Sequence, residues 1–189
     1  KKALHTILTK TANPPSNQIN ALIDLYKAGQ ISKTEEACRK LLKTYPQAFF
    51  VINLLGVTLT TQMKFLEAVE LYEKVIQLKP DYAEAYRFRG RAYHRKQEYD
   101  KAIADFTEAI RLDSTHAEAY YARIQLQLKQ VLQKRLRTPI QTSPDAKILE
   151  QRRVEIEKDI TILKKLSTRP ELALTAEAGL NAIFDQWKA

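Results

Sequence analysis

Apolar residues recur along most of this chain at spacings of three and four positions, which is the period of a helix face turned toward a core. No stretch shows the sustained apolar–polar alternation of a half-buried strand. The four glycines and seven prolines leave little material for hairpin turns. The pattern therefore predicts an all-α protein made of successive amphipathic helices, without a β-strand.

The helical pattern repeats with a period of 34 residues through the middle of the chain. Gly56 recurs as Gly90, and Ala68 recurs as Ala102. Such a period indicates an array of helix–turn–helix units that stack on one another. Small residues in fixed columns are expected where two helices cross closely, because only small side chains permit that approach. The other fixed columns hold Tyr72 with Phe106, and Pro46 with Pro80.

These columns resemble the tetratricopeptide repeat (TPR) family, and its bacterial members in particular. The motifs that carry the resemblance are Ile52-x2-Leu55-Gly56-x2-Leu59 with Ala68-x3-Tyr72, and Tyr86-x2-Arg89-Gly90-x2-Tyr93 with Ala102-x3-Phe106. The resemblance implies a right-handed superhelical solenoid in which the first helix of each pair lines a concave groove. It implies less about function, because a fold is a scaffold on which different sites occur.

The period divides the chain into an array and two ends. The predicted array spans residues 15–137, with an amino-terminal cap or tail at 1–14 and atypical capping helices at 138–189. Terminal units of a solenoid are expected to be atypical, because their outer face has no neighbouring unit. The predicted units of the array are 15–48, 49–82, 83–116 and a partial unit at 117–137.

Several helix starts are indicated by capping boxes, in which a polar residue is followed three positions later by glutamate. The predicted boxes are Asp81 with Glu84, Thr115 with Glu118, and Ser32 with Glu35. In the carboxy-terminal part, Ser143-Pro144-Asp145 predicts the start of a helix that ends at Leu166. Thr168-Arg169-Pro170-Glu171 is a further capping box and predicts a last helix.

The net charge of +9 comes mainly from residues 1–48 and 117–168. A basic protein favours anionic partners, but positive charge also keeps a protein soluble. No aromatic residue lies between Tyr121 and Phe184, so a stacking platform for bases is missing from the carboxy-terminal basic run and nucleic-acid binding is not favoured. No stretch of eighteen apolar residues occurs, which predicts no membrane-spanning segment in the given chain.

Catalytic and cofactor motifs are missing from the sequence. The glycines are isolated, so no phosphate-binding loop or dinucleotide fingerprint is present. The three histidines lack metal-ligand spacing with one another or with Cys38, which is the only cysteine. A chain with one cysteine forms no internal disulfide, which fits a reducing compartment and favours a cytoplasmic location. We expect no catalytic residue, no metal site and no cofactor.

The groove columns implied by the resemblance place three arginines on one helical stripe in unit 83–116. Arginine forks engage carboxylates bidentately, which favours a protein or peptide partner with acidic and hydrophobic residues. Exposed arginines can equally serve only to solvate a helix. The predicted groove residues are Phe50, Asn53, Val57, Arg87, Arg91, His94, Arg95, Tyr121 and Gln125.

Some family members grip the terminal carboxylate of chaperones with lysine, asparagine and arginine on three successive first helices. Asn53 matches one element of that clamp, but Ile19 and Ile23 stand where a lysine and an asparagine belong. Glu84 or Glu118 stands where a later lysine belongs. The resemblance therefore does not extend to chaperone-tail binding of that kind.

Three functional readings follow. The first is a non-catalytic scaffold or adaptor that binds a partner segment in its groove. The second is the recognition domain of a larger enzyme, because Leu25-Tyr26-x2-Gly29 and Tyr45-Pro46 resemble repeats found before bacterial sulfotransferase or glycosyltransferase domains. The third is nucleic-acid binding through the basic ends. The last helix, with Phe184 and Trp187, could also form a homodimer contact.

Overall fold

The computed structural model describes residues 13–135 and 145–184. All regular secondary structure in these residues is helical, which confirms the predicted all-α class. The helices are α1 (Ser16–Lys27), α2 (Ile31–Thr44), α3 (Phe49–Thr61), α4 (Phe65–Leu78), α5 (Ala83–Arg95), α6 (Tyr99–Leu112), α7 (Ala117–Arg135), α8 (Asp145–Leu166) and α9 (Pro170–Phe184). The first six helices follow the helix pairs that the sequence period predicts.

The chain forms two compact units, with the boundary between Glu98 and Tyr99. The N-terminal unit contains α1 to α5, and each of these helices packs on the next. The C-terminal unit contains α6 to α9, in which α7 packs against α6, α8 and α9. The predicted amino-terminal cap lies almost wholly outside the described residues. The predicted boundary at 137/138 also lies outside them and stays a prediction.

The junctions that follow α1, α3 and α5 share one backbone turn. The residue at each turn has a left-handed φ, of 70° at Gly29, 63° at Met63 and 64° at Gln97. These positions are 34 residues apart. The backbone N–H of the next residue then donates to the carbonyl five positions earlier, at 2.9–3.0 Å. This is the hydrogen bond that closes a Schellman turn, and it satisfies a carbonyl that the helix end would otherwise leave open.

Two of the predicted capping boxes, Ser32 with Glu35 and Asp81 with Glu84, are wrong in detail. α2 begins earlier than predicted, so Ser32 lies inside the helix, and the residue before α5 is Tyr82, not Asp81. Neither helix receives a side-chain hydrogen bond at its N-cap. Thr115 donates its hydroxyl to the Asp113 carboxylate at 2.6 Å. Backbone hydrogen bonds of the preceding turns set these helix starts, so the side chains are not needed as caps.

The α3–α4 crossing is built on a glycine. A Cβ added to Gly56 would lie 2.7 Å from Cε1 of Tyr72. Tyr72 and Ala68 on α4 are fully buried, as the repeat columns predict. The first unit fills the equivalent columns with Leu22, which is 4% exposed, and Cys38, which is fully buried. The degenerate first unit therefore keeps the core of the repeat with different side chains.

An ion-pair network joins α2 to the start of α4. Lys64 donates to the Glu35 carboxylate at 3.0 Å. Arg39 donates to the same carboxylate at 2.9 Å and also pairs with Glu67. Burial raises the pKa of the Glu35 carboxyl, but hydrogen bonds from Lys64, Gln62 and Arg39 outweigh it and lower the pKa to about 2. The network ties the first unit to the second on their polar side.

The carboxy-terminal helices lie where the sequence predicts them. α8 ends at Leu166, as predicted, and α9 begins at Pro170, inside the predicted capping box. Ile156, Ile160 and Leu163 of α8 are buried, and so are the α9 side chains that face them across the unit. The buried α9 residues are Ala173, Ala176, Leu180 and Phe184. These two helices give the unit a core that does not follow the repeat.

Candidate functional site

The exposed cations of the predicted groove lie on α5. Arg91 and Arg95 are exposed, and neither forms an ion pair or a hydrogen bond with the described residues. An exposed guanidinium without a carboxylate partner keeps its donors available for an anionic ligand. Their spacing of four residues places them on one face of the helix.

Arg87 is held differently, because its guanidinium lies against the helix surface. It is half-buried, and its Cζ lies 4.2 Å from the centroid of the Phe88 ring. Burial raises the pKa of the Tyr72 hydroxyl, and the positive charges of Arg91 and Arg87 act against that rise. Both arginines therefore lie near the Tyr72 hydroxyl. His94, one turn further along α5, is half-buried.

Hydroxyl groups lie beneath these cations. The Tyr72 hydroxyl lies 3.2 Å from that of Thr60, which donates to the Gly56 carbonyl at 2.9 Å. The Tyr26 hydroxyl lies 3.4 Å from that of Thr61. Sequence reasoning treated Tyr72 only as a core aromatic and missed its polar end. Thr60, a polar residue in a groove column of α3, was the sequence signal that could have indicated a polar contact for the Tyr72 hydroxyl.

The α3 side of the predicted groove is more deeply buried than its α5 side. Phe50 and Val57 are half-buried. Asn53 is only 6% exposed, and its side-chain Oδ1 accepts no hydrogen bond. A buried amide oxygen without a donor costs about 1–3 kcal/mol, so native proteins leave few of them. The reason for this burial is that α3 packs against α2, α4 and α5, which leaves little of its surface open.

The remaining predicted groove residues belong to the C-terminal unit. Tyr121 and Gln125 lie on α7 and are both half-buried. Their membership of one groove with the α5 arginines stays a prediction.

The basic residues of the C-terminal unit are largely engaged by neighbours. Arg153 donates to Glu157 at 2.9 Å, and the Lys129 ammonium lies 4.6 Å from the centroid of the Tyr99 ring. Such contacts are typical of a solvated helix face. Arg137 lies outside the described residues.

A sequence profile described as tetratricopeptide repeat matches residues 53–117. The chain contains tetratricopeptide repeats. The match covers the second predicted unit, except for its first four residues, and the third unit. The helix pairs and the Gly56–Tyr72 crossing described above agree with this repeat fold.

Two curated relatives each match half of the chain or more. The chain is 31% identical over 99 residues to the mitochondrial import receptor subunit TOM70 of Mus musculus, which covers 50% of this chain and 16% of the receptor. It is 30% identical over 115 residues to serine/threonine-protein phosphatase 5 of Rattus norvegicus, which covers 61% of this chain and 19% of the phosphatase. The chain thus spans less than a fifth of either relative.

Solved TPR structures share the fold. A tetratricopeptide repeat protein from Parabacteroides merdae superposes with a TM-score of 0.70 at 18% identity, over 92% of this chain and 61% of that one. The first TPR domain of Spaghetti (RPAP3), bound to the HSP90 peptide SRMEEVD, superposes with a TM-score of 0.55 at 20% identity, over 75% of this chain and 94% of that one. At these identities the likeness shows the fold alone.

The described residues contain neither a cluster of metal ligands nor a membrane-spanning helix. No three or more histidine, cysteine, aspartate or glutamate side chains in 13–135 and 145–184 lie together as metal ligands would. Within the same residues, no helix has the length and apolar character needed to cross a bilayer.

Proposed function

We propose that the N-terminal unit is a scaffold that binds a segment of a partner protein across α3 and α5. The observation that carries this proposal is the pair of exposed cations, Arg91 and Arg95, which have no carboxylate partner among the described residues. A stripe of this kind next to apolar side chains suits a ligand that is both acidic and hydrophobic. The proposed groove residues on these helices are Phe50, Asn53, Val57, Arg87, Arg91, His94 and Arg95.

The two sides of this groove suit different chemical groups of a ligand. On α5, a carboxylate of the partner pairs with the guanidinium groups of Arg91 and Arg95. On α3, Phe50 and Val57 offer half-buried apolar surface, and the buried Oδ1 of Asn53 is an acceptor without a hydrogen-bond partner. A peptide supplies all three through an acidic side chain, an apolar side chain and its backbone.

The peptide-bound Spaghetti (RPAP3) domain supports a peptide ligand, because that peptide carries adjacent acidic residues. On α1 of the present chain, the half-buried Ile19 and Ile23 provide apolar surface. We therefore propose a partner whose acidic residues lie at α5 and whose hydrophobic residues extend toward α1.

A peptide array tests this proposal. The probes are immobilised decapeptides that combine leucine with glutamate, with lysine or with serine. Wild-type protein is expected to retain the leucine–glutamate peptides, and the Arg91→Glu, Arg95→Glu double variant is expected to lose at least about tenfold in binding. The matched control is Lys43→Glu, Lys74→Glu, which makes the same charge change at exposed residues of α2 and α4.

Two results would count against the scaffold. Equal retention of the glutamate and serine peptides by wild-type protein would remove the role of the arginines. An equal loss by the control variant would show that overall charge, and not the α5 stripe, drives retention. Circular dichroism of each variant checks that the helices are intact.

A second candidate is that these repeats are the recognition domain of a larger enzyme. The likeness to a protein phosphatase of which the chain spans only 19% favours this reading. Sequencing the complete coding region tests it, since a catalytic domain beside the repeats supports it and a gene that encodes repeats alone opposes it. A location in the cytoplasm and a homodimer contact through α9 stay predictions.

A further inference from the structure

The C-terminal unit contains a cleft of about 690 Å³ between α6, α7 and α8. This volume falls in the range of about 300–1,000 Å³ that is typical of small-molecule sites. The α7 side chains that line it are Tyr120, Arg123 and Gln127, which share one face of the helix. Tyr121 and Gln125 lie about 150° away around α7, since each residue turns the helix by about 100°. The cleft is therefore distinct from the proposed peptide groove.

A buried ion pair forms the floor of the cleft. Arg123 donates Nε to Oδ2 of Asp159 at 2.8 Å and Nη2 to Oδ1 at 2.7 Å. Its Nη1 donates to the Thr107 hydroxyl at 3.0 Å. Asp159 is only 4% exposed. These three contacts link α6, α7 and α8, so the pair shapes the cleft.

Gln127 lines the same cleft with an unused acceptor. Its side chain is 5% exposed, and Oε1 is buried without a hydrogen-bond partner. Leaving such an oxygen without a donor costs about 1–3 kcal/mol. A ligand with an N–H group removes this cost when it binds.

The α8 side of the cleft carries cations that lack ion-pair partners. Arg152 is half-buried and donates Nη1 to Gln130 at 3.0 Å, but it pairs with no carboxylate of the described residues. Lys158 lines the cleft and likewise makes no ion pair in that part of the chain. Glu155 lies between them in sequence and is exposed. Because Arg123 neutralises Asp159, these two cations and Glu155 leave one net positive charge in the lining of the cleft, which favours an anion.

Isoleucine side chains supply the apolar part of the cleft. Ile103 and Ile110 come from α6, and Ile148 and Ile162 come from α8. Ile148 is 49% exposed. An aliphatic ligand group would cover it.

We propose that this cleft binds a small aliphatic carboxylate that carries an N–H donor beside its acid group. The N–H group donates to Oε1 of Gln127, the carboxylate pairs with Arg152 and Lys158, and the aliphatic part lies against the isoleucines. A free apolar amino acid and the C-terminal residue of a peptide share this chemistry. The inference does not depend on the peptide groove of the N-terminal unit.

Nuclear magnetic resonance titration of the ¹⁵N-labelled full chain tests the proposal with four probes. N-acetyl-leucine and leucine carry all the required groups, N-acetyl-leucinamide lacks the charge, and 4-methylpentanoate lacks the N–H donor. N-acetyl-leucine or leucine is expected to shift the side-chain amide resonances of Gln127 saturably. The two incomplete probes are each expected to bind at least about tenfold more weakly than the better complete probe.

The two complete probes distinguish the two sources of this chemistry. Tighter binding of leucine indicates a free amino acid, whose ammonium group faces Glu155. Tighter binding of N-acetyl-leucine indicates the end of a peptide chain. No saturable shift at Gln127 with either complete probe at millimolar concentration would overturn the proposal, and so would equal binding of the charged probe and its amide.

Variants locate the contacts. Arg152→Gln should weaken the complete probes about tenfold and leave N-acetyl-leucinamide unchanged. Gln127→Met keeps the shape of the side chain and should weaken the complete probes but not 4-methylpentanoate. Lys165→Gln, an exposed position elsewhere on α8, is the control and should change nothing. Wild-type affinity in both cleft variants would overturn the assignment.

Discussion

Replacing Gly56 with alanine should destabilise the N-terminal unit, although alanine is the better helix former. The added Cβ would lie 2.7 Å from Cε1 and 2.9 Å from Cζ of Tyr72. The tyrosine ring has little room to retreat, because the residue is fully buried and its ring stacks on Phe88 with centroids 6.0 Å apart. Its hydroxyl also lies 3.2 Å from that of Thr60. The contact is therefore relieved only by moving α3 and α4 apart or by breaking these interactions.

Opposing contributions set the size of the effect. Helix propensity favours alanine over glycine by about 1 kcal/mol. Overpacking of a filled core costs about 1–3 kcal/mol, and a displaced aromatic pair loses about 0.5–1.5 kcal/mol more. The free energy of unfolding should therefore fall by about 0.5–3.5 kcal/mol.

Urea unfolding followed by circular dichroism measures this change, and hydrogen exchange of the α3 amides assigns it to the N-terminal unit. Gly179→Ala is the matched control, because its Cβ would lie 3.4 Å from Cδ1 of Leu128, an ordinary contact. That variant should gain up to about 1 kcal/mol from helix propensity. The Tyr72→Leu change should make Gly56→Ala less harmful in the double variant. A Gly56→Ala protein as stable as wild type would refute the close crossing.

Three further predictions concern the N-terminal unit. Met63→Gly should raise the free energy of unfolding by about 1 kcal/mol, because the left-handed φ of 63° strains a residue other than glycine and the methionine side chain is 67% exposed. Met63→Ala should not raise it. Equal urea midpoints for the glycine variant and the wild-type protein would contradict this prediction. Because the pKa of Glu35 is depressed, its carboxylate stabilises the fold fully above the usual pKa of 4.5 and loses this contribution as the pH falls toward about 2. In the Glu35→Gln variant, the free energy of unfolding should therefore depend less on pH in that range. Burial raises the pKa of the Cys38 thiol to about 12, so iodoacetamide should modify it only when the unit opens; a native rate close to that of a free thiol would oppose this.

The repeat part of the fold could be predicted from sequence because its information is periodic and local. Gly56 and Tyr72 stand in columns that recur, so their contact follows from the period. The left-handed φ could be expected at Gly29 but not at Met63, because methionine carries no signal for that conformation. There the position in the repeat decides, and the residue accepts the strain.

The site residues were less predictable, because burial depends on neighbours that the column pattern does not specify. Asn53 stands in a groove column, yet packing of three helices around α3 buries it to 6% exposure. The Arg123–Asp159 pair joins residues 36 positions apart, in a region without a complete repeat. The sequence did not predict this pair, because no motif links an arginine in the middle of one helix to an aspartate on a helix outside the repeat.

The shared turn after α1, α3 and α5 has a consequence for how such a chain changes in length. A segment cut between Gly29 and Met63, or between Met63 and Gln97, begins and ends on the same backbone conformation. If that segment is duplicated or removed, the two ends that are joined have the same backbone conformation, so the junction needs no new loop conformation. Loss of one residue from it would instead rotate every later side chain by about 100°. The protein can therefore gain or lose reach in whole helix pairs, and each added pair extends the ligand surface by one first helix.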